Sequence, residues 1–118
     1  MHPASCDMQT AYKWGDGGIG WSLVETKGLL VIEETLAPGC SEKHLYHNQA
    51  EQCFYMLVGR AVMQFADGQH IEIGPGMTLH IPPKTPHAIV NQTVEEIRFL
   101  VISAPSSRGD RYEGEPDR

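Results

Sequence analysis

Long apolar runs, basic clusters and paired cysteines are missing from this chain of 118 residues, and each absence excludes a class of protein. No segment approaches the ~18 consecutive apolar residues that a membrane helix needs. The formal charge is −6 without a lysine- or arginine-rich face, so nucleic acid and anionic membranes are poor partners. The start, MHPASCDMQT, lacks the basic and apolar parts of a secretory signal peptide, and we expect a cytoplasmic protein with free thiols at its three cysteines.

A helical period is also missing, because no stretch keeps the 3.6-residue apolar spacing over three turns. Short apolar runs rich in valine, isoleucine and phenylalanine alternate instead with glycine and proline. These runs are LLVIEETL, CFYMLV, AVMQF, HIEI, TLHI and IRFLVI. Asp67-Gly68 between two of them is a hairpin signal. The pattern predicts an all-β fold, a small antiparallel sandwich or barrel with one hydrophobic core.

The ends of the chain differ in composition from its middle. The segment 1–20 is polar and glycine-rich, and we expect it to be an N-terminal arm. The apolar runs fall within 21–104, which we expect to form a single β-barrel domain. The segment 105–118 is charged and contains proline, and we expect a polar tail that is solvated or held against the surface.

Two histidine-containing stretches could hold a metal. The first is HLYHNQAEQ, residues 44–52, and the second is GMTLHIPPKTPHAIVN, residues 76–91. Imidazole nitrogens and side-chain oxygens are suitable ligands for zinc, nickel, iron or manganese. Residues two apart on a strand share a face, so Leu45 and His47 point one way and His44 the other. His47 and Gln52 can meet only if the residues between them form a loop and Gln52 begins a new strand.

The second stretch has the spacing of a known motif. Gly76, Pro82, His87 and Asn91 stand where the second motif of the cupin family has glycine, proline, histidine and asparagine. Lys84 occupies the position of the motif's middle glycine, which is a turn position. The chain therefore resembles the cupins, and the likeness extends from about residue 21 to residue 104.

The first cupin motif is present in altered form. Gly59 sets the frame, and counting back from it puts Gln52 at the position of the motif glutamate and His47 at that of the second histidine. Leu45 stands in the position of the first histidine, with His44 one place away. The overall pattern resembles a subgroup of short, single-domain bacterial cupins in which glutamine commonly replaces this glutamate.

The resemblance implies a fold, a site and a cofactor. The fold is the cupin jelly-roll β-barrel, also called a double-stranded β-helix. The cofactor is one divalent transition metal (zinc, nickel, iron or manganese). The implied metal ligands are His47, Gln52 and His87, with His44 and His80 as additional pocket or ligand candidates. His44 either faces solvent or supports a ligand. Strand alternation puts the apolar Phe54 and Met56 on the same face as Gln52, which adds them to the pocket. Gln52 is either a weak ligand or a hydrogen-bonding pocket residue. His80 can line the pocket only if both faces of its strand are covered.

The resemblance also implies a range of functions. We expect a small polar organic molecule in the pocket, with dioxygenase, isomerase or lyase chemistry as candidates, because one fold serves many activities. The alternatives are a non-catalytic small-molecule-binding protein and a metal-free enzyme like the sugar-nucleotide isomerases, so whether the chain is an enzyme stays open. We further expect a homodimer, because LLVIEETL and IRFLVI would otherwise leave a sheet edge or face exposed.

Overall fold

The computed structural model describes residues 1–116, which contain eleven strands and one short 3-10 helix, Cys6–Met8. The strands are β1 (Tyr12–Trp14), β2 (Gly18–Glu25), β3 (Leu30–Leu36), β4 (Leu45–Tyr46), β5 (Glu51–Val58), β6 (Ala61–Phe65), β7 (His70–Ile73), β8 (Thr78–Ile81), β9 (His87–Val90), β10 (Ile97–Ala104) and β11 (Tyr112–Glu113). Residues 117–118 of the expected tail lie outside the described residues. No helix among the described residues is long and apolar enough to span a membrane.

The strands form two antiparallel sheets. One has six strands in the order β1-β2-β3-β10-β5-β8, and the other has five in the order β11-β4-β9-β6-β7. Strands β5 and β10 alternate between buried and less buried residues, as expected when one face of a sheet packs on a core. Phe54, Met56 and Phe99 from the larger sheet and Met63 and Ile89 from the smaller one belong to a single buried cluster. This confirms the predicted all-β, antiparallel architecture.

The sheet begins earlier than the expected boundary at residue 21. Strand β1 and the first residues of β2 lie within the segment 1–20, and Trp14 is 8% exposed in the core. Its ring meets Phe99 edge-on, with ring centroids 6.1 Å apart. A Cβ atom on Gly18 would lie 2.2 Å from the Trp14 ring, so glycine here allows an aromatic side chain to lie against the strand. The glycine-rich composition predicts an arm here, and the structure instead places these residues in strands.

The end of the described chain also joins a sheet. Strand β11 lies within the segment 105–118 and pairs with β4, with Tyr112 opposite Tyr46. The two tyrosine rings stack with centroids 5.4 Å apart and an interplanar angle of 27°. We call residues 105–116 the C-terminal segment. It is held against the strand that precedes His47, and this contact makes it part of the candidate site.

Candidate functional site

A cavity of about 190 Å³ is lined by residues of both sheets and of the C-terminal segment. Its lining residues are Tyr12, Trp14, Ile32, Glu34, Glu42, Leu45, His47, Gln52, Phe54, His87, Val101, Ser103, Ser107, Arg108, Gly109 and Arg111. The three expected metal ligands, His47, Gln52 and His87, are therefore all present in one cavity. The side chains from β5 and β10 reach it because they occupy inward positions of neighbouring strands.

His47 follows strand β4 and is 8% exposed. Its Nδ1 lies 2.6 Å from the backbone carbonyl oxygen of Asp110. A carbonyl oxygen only accepts hydrogen bonds, so Nδ1 carries the proton and donates it. In the neutral ring this leaves the lone pair on Nε2, which is the atom available to bind a metal.

His87 is the first residue of strand β9 and is 2% exposed. Its Nδ1 donates to the carbonyl oxygen of Thr85 at 2.8 Å, so its Nε2 also carries a free lone pair. The pKa of His87 is lowered to about 4, chiefly by burial and also by His47 and His44, against the effect of the Thr85 hydrogen bond. The ring is thus neutral at pH 7. The rings of His47 and His87 have centroids 6.1 Å apart.

Gln52 is the second residue of strand β5 and is 6% exposed. Its Nε2 donates to the hydroxyl oxygen of Ser103 at 2.9 Å. Its Oε1 is buried and has no hydrogen-bond partner among the described residues. A buried polar atom without a partner costs about 1–3 kcal/mol, so a ligand or cation that contacts this oxygen would recover that energy.

These three groups fit a divalent transition metal. Two imidazole Nε2 atoms and one amide oxygen form a donor set that such ions accept, and three protein ligands leave further coordination positions open. The described residues contain no cluster of three or more histidine, cysteine, aspartate or glutamate side chains arranged for a metal. The third donor would therefore be Gln52, whose neutral amide makes it a weaker ligand than a carboxylate.

Only some of the other residues near the expected ligands line the cavity. Leu45 is 7% exposed and lines the cavity at the place where the first cupin motif has a histidine. Phe54 lines the cavity and meets the His87 ring edge-on, with centroids 5.8 Å apart. His44 is partly buried and does not line the cavity, although it is close enough to affect the pKa of His87. Met56 is fully buried in the core and, contrary to our expectation, does not line the cavity.

His80 lies outside the cavity. Its side chain is 60% exposed, and its Nε2 lies 2.8 Å from Glu51 Oε1. Strand β8 is an edge strand of the six-stranded sheet, and His80 pairs in register with Cys53, which points away from the core. The expectation that His80 could line the pocket is thus not met, because nothing in the described chain covers the outer face of that strand.

Sequence reasoning missed a group of ionisable residues on the cavity wall. The pKa of Glu34 is raised to about 8, chiefly by burial and then by the nearby Glu42, while Arg111 and Arg108 act in the opposite direction. Burial also raises the pKa of Glu42 to about 7, although Arg111 lies 3.7 Å away and the Ile89 backbone donates to it. The signal for Glu34 was present in LLVIEETL, where it shares the inward face of β3 with Leu30, Ile32 and Leu36.

Asp110 was missed as well, and it contacts the site from the C-terminal segment. Its carboxylate oxygens accept hydrogen bonds from the backbone N–H groups of Asn48, Gln49 and Ala50 at 2.8, 2.9 and 3.0 Å. Burial opposes ionisation, but these three donors and His47 hold the pKa of the Asp110 carboxyl below its usual value. No local pattern indicates this role, because the partners lie about sixty residues apart in the sequence.

A family model described as "Cupin domain" matches residues 32–103, more than half of the chain. The chain belongs to the cupin family. This cupin is 36% identical over 75 residues to an uncharacterized protein of Methanocaldococcus jannaschii, with 63% of this chain and 59% of that protein covered. It is also 36% identical over 75 residues to the quercetin 2,3-dioxygenase of Bacillus subtilis, with 58% of this chain and 22% of the dioxygenase covered. The chain thus matches less than two thirds of the length of either protein.

A solved structure supports the same fold. An uncharacterized conserved protein with a double-stranded β-helix domain from Klebsiella pneumoniae superposes with a TM-score of 0.80. The superposition covers 96% of each chain at 18% identity, so the likeness concerns the fold alone. The predicted cupin jelly roll, or double-stranded β-helix, is confirmed.

Proposed function

We propose that this cupin binds one divalent transition metal ion through His47, His87 and Gln52, with Gln52 in the place of the motif glutamate. The observation that supports this most is the combination of hydrogen bonds around the cavity. Nδ1 of each histidine is a donor to a backbone carbonyl, and Nε2 of Gln52 is a donor to Ser103. Each contact leaves a potential metal-binding atom free, and all three side chains line one cavity.

We propose further that the cavity takes a small polar organic molecule. Its volume of about 190 Å³ is below the roughly 300–1,000 Å³ of pockets for drug-sized ligands, which favours a small ligand. Its wall combines apolar groups such as Phe54 and Val101 with the polar groups Glu34, Tyr12 and Arg111. When bound, a divalent metal would supply a Lewis acid that polarises an oxygen of the ligand. The chain's own residues would exclude water, orient the molecule and exchange protons with it.

An enzymatic role is supported by the relationship to a dioxygenase, which covers only a fifth of that enzyme. Dioxygenase, isomerase and lyase chemistry all remain compatible with an open metal site. A metal-free acid–base enzyme is the second candidate, and the raised pKa values of Glu34 and Glu42 favour it. A carboxyl group whose pKa lies near neutrality can both give and take a proton at physiological pH.

The deciding experiment is metal analysis of protein purified without chelator, followed by Zn²⁺, Ni²⁺, Fe²⁺ and Mn²⁺ titration of the stripped protein. We expect about one metal per chain, and we expect His87→Ala to abolish binding. His70→Ala and His80→Ala are matched controls, because both side chains are exposed and outside the cavity. Normal metal content in His87→Ala would rule out the ligand assignment. Turnover of small keto acids, diketones and phenols by the stripped protein would instead support the acid–base candidate.

We also propose that the protein is a homodimer. Alternate residues of β10 and β5 face away from the core, and they include Leu100, Ile102, Tyr55 and Leu57. All four side chains keep partial exposure in the single chain. An apolar sheet face of this kind favours burial against a second copy of the same surface, which is how two-fold symmetric dimers form.

A further inference from the structure

We infer that Asp110 is a positioning residue for the candidate metal site, and that it determines which nitrogen of His47 carries the proton. The inference about geometry rests on contacts within the chain. Its consequence for metal affinity rests on the function proposed above. Neither cupin motif includes this residue, which lies within the segment that we expected to be a tail.

The Asp110 side chain anchors the loop between two of the proposed ligands. The Asp110 carboxylate accepts hydrogen bonds from three consecutive backbone N–H groups, at 48, 49 and 50. These residues separate His47 from strand β5, where Gln52 lies. One carboxylate therefore fixes the conformation of the short connection on which the spacing of both ligands depends. Charge-assisted hydrogen bonds of this kind are stronger than neutral ones.

Asp110 also contacts the proposed ligand His47 directly. The backbone carbonyl of the same Asp110 accepts the hydrogen bond from His47 Nδ1 at 2.6 Å. Because the side chain anchors the residue, it also holds this carbonyl at the correct place. The contact selects the tautomer with Nδ1 protonated, orients the ring and leaves Nε2 free toward the cavity. Partners of this kind around metal-binding histidines commonly change metal affinity by 10- to 100-fold.

The rest of the C-terminal segment is held in place by contacts that do not involve the Asp110 side chain. Strand β11 pairs with β4, Tyr112 stacks on Tyr46, and the Gly114 N–H donates to the His44 carbonyl at 3.3 Å. None of these contacts uses the Asp110 carboxylate. A substitution at Asp110 should therefore remove the anchor while the segment stays docked, and its effect can be measured in a folded protein.

The test has a readout that does not require metal. We would record ¹⁵N NMR spectra of the imidazole groups in metal-free protein at pH about 9, well above the ordinary histidine pKa of about 6.5. Wild-type His47 should show a protonated Nδ1 and an unprotonated Nε2. In Asp110→Ala we expect a mixture with the other tautomer, while His87, which is held by Thr85, should keep its own. A His47 signal that is identical in the variant and the wild type would overturn the inference.

The second readout is Zn²⁺ affinity by calorimetric titration. Asp110→Ala should bind Zn²⁺ 10- to 100-fold more weakly, and Asp110→Asn, which keeps one acceptor oxygen, should recover part of the loss. Asp67→Ala is the control, because Asp67 also accepts a backbone N–H, from Gln69 at 2.8 Å, but is exposed in a turn and does not line the cavity. Its tautomer pattern and affinity should equal those of the wild type. Unchanged Zn²⁺ affinity in a folded Asp110→Ala would contradict the inference.

Two outcomes separate this inference from the proposed function. If wild-type protein binds no Zn²⁺ and yet the His47 tautomer changes in Asp110→Ala, the metal function fails and the positioning role stands. If Asp110→Ala does not fold, Asp110→Asn takes its place, since it keeps the shape but removes the negative charge and one of the two oxygens that accept the backbone N–H groups. A folded Asp110→Asn with wild-type tautomer and wild-type Zn²⁺ affinity would then overturn the inference.

Discussion

The side-chain amide of Gln52 donates a 2.9 Å hydrogen bond to the hydroxyl of Ser103, the residue opposite it on the neighbouring strand. This contact uses the amide nitrogen and leaves the amide oxygen as the atom without a partner. The contact bears on two interpretations of Gln52, as a metal ligand and as a hydrogen-bonding pocket residue. The unpartnered oxygen favours a role as neutral oxygen ligand, while the second N–H of the same amide stays available to donate to a substrate.

The first prediction is that Gln52→Glu tightens metal binding. A carboxylate adds a direct attraction between anion and cation, which is substantial in a cavity from which much of the water is excluded. We expect affinity for Zn²⁺ to rise about tenfold or more, which corresponds to about 1.4 kcal/mol. The measurement is a calorimetric titration of both proteins at one pH and ionic strength.

The control for this variant is Gln69→Glu, which adds the same charge at an exposed turn. Its affinity should stay close to that of the wild type. If Gln52→Glu binds metal no better than the wild type, Gln52 does not contact the ion. Gln52 would then not occupy the position of the motif glutamate.

The second prediction concerns Leu45, which lines the cavity where a further imidazole would be expected in a cupin. Leu45→His should also tighten metal binding, because it adds a fourth donor beside His47 on the same side of the strand. Leu45→Phe is the control, since it adds a ring of similar shape without a nitrogen lone pair. Equal Zn²⁺ affinities for the histidine and phenylalanine variants would show that position 45 does not face the ion.

Much of the fold and part of the site could be predicted from local patterns. Strand alternation predicts that Gln52 and Phe54 face inward, and both do. The same rule cannot tell how deep a residue lies, so Met56 was expected in the cavity and is found in the core. Nor can it tell which strand lies at a sheet edge. His80 is exposed because β8 has such a position.

The contributions of the two ends could not be predicted, for a different reason. Trp14 reaches the core by lying against glycines that usually indicate a loop. Asp110 contacts a loop about sixty residues earlier, and only the pairing of β11 with β4 brings the two together. Such contacts depend on the closed fold rather than on any periodicity, so a polar, charged stretch looks like a tail until its partners are known.

The third prediction concerns assembly. Light scattering at high micromolar concentration should give twice the mass of one chain. Leu100→Lys, on the outer face of the six-stranded sheet and next to Tyr55, should give a monomer, because it places a charge at the centre of the proposed interface. Val94→Lys is the control, since this side chain is 91% exposed in a loop. A wild-type protein that stays monomeric at that concentration would refute the proposal.

The fourth prediction concerns Glu34 and the pH dependence of stability. The folded-state pKa of Glu34 is about 8, above the ordinary value of 4.5, chiefly because of burial and then because of Glu42. The folded chain therefore binds more protons than the unfolded chain between these two values. The proton on Glu34 thus stabilises the folded state. This contribution is complete below pH 4.5 and is lost as the pH rises through about 8.

Glu34→Gln should prevent the loss of folding stability at high pH, because the amide has nearly the same shape and cannot ionise. Urea unfolding should show the variant more stable than the wild type at pH about 9, by on the order of 2 kcal/mol, and nearly equal to it at pH about 5. The expected gain is below the full linkage value because the Glu34 side chain keeps some contact with water. Glu42 is present in both proteins, and the loss of its repulsion from an ionised Glu34 is part of the expected gain at high pH.

The matched control for that measurement is Glu33→Gln, one residue away on the opposite face of β3. Glu33 pairs with Arg98, so its replacement should destabilise the protein slightly at both pH values rather than stabilise it at high pH. The decisive quantity is the difference between the gains at the two pH values, because a general packing effect of the amide would appear equally at both. If the stability difference between Glu34→Gln and wild type is the same at both pH values, Glu34 ionises in the folded protein as it does in water. The carboxyl would then hold no proton in the cavity at neutral pH, and the acid–base candidate would lose its main support.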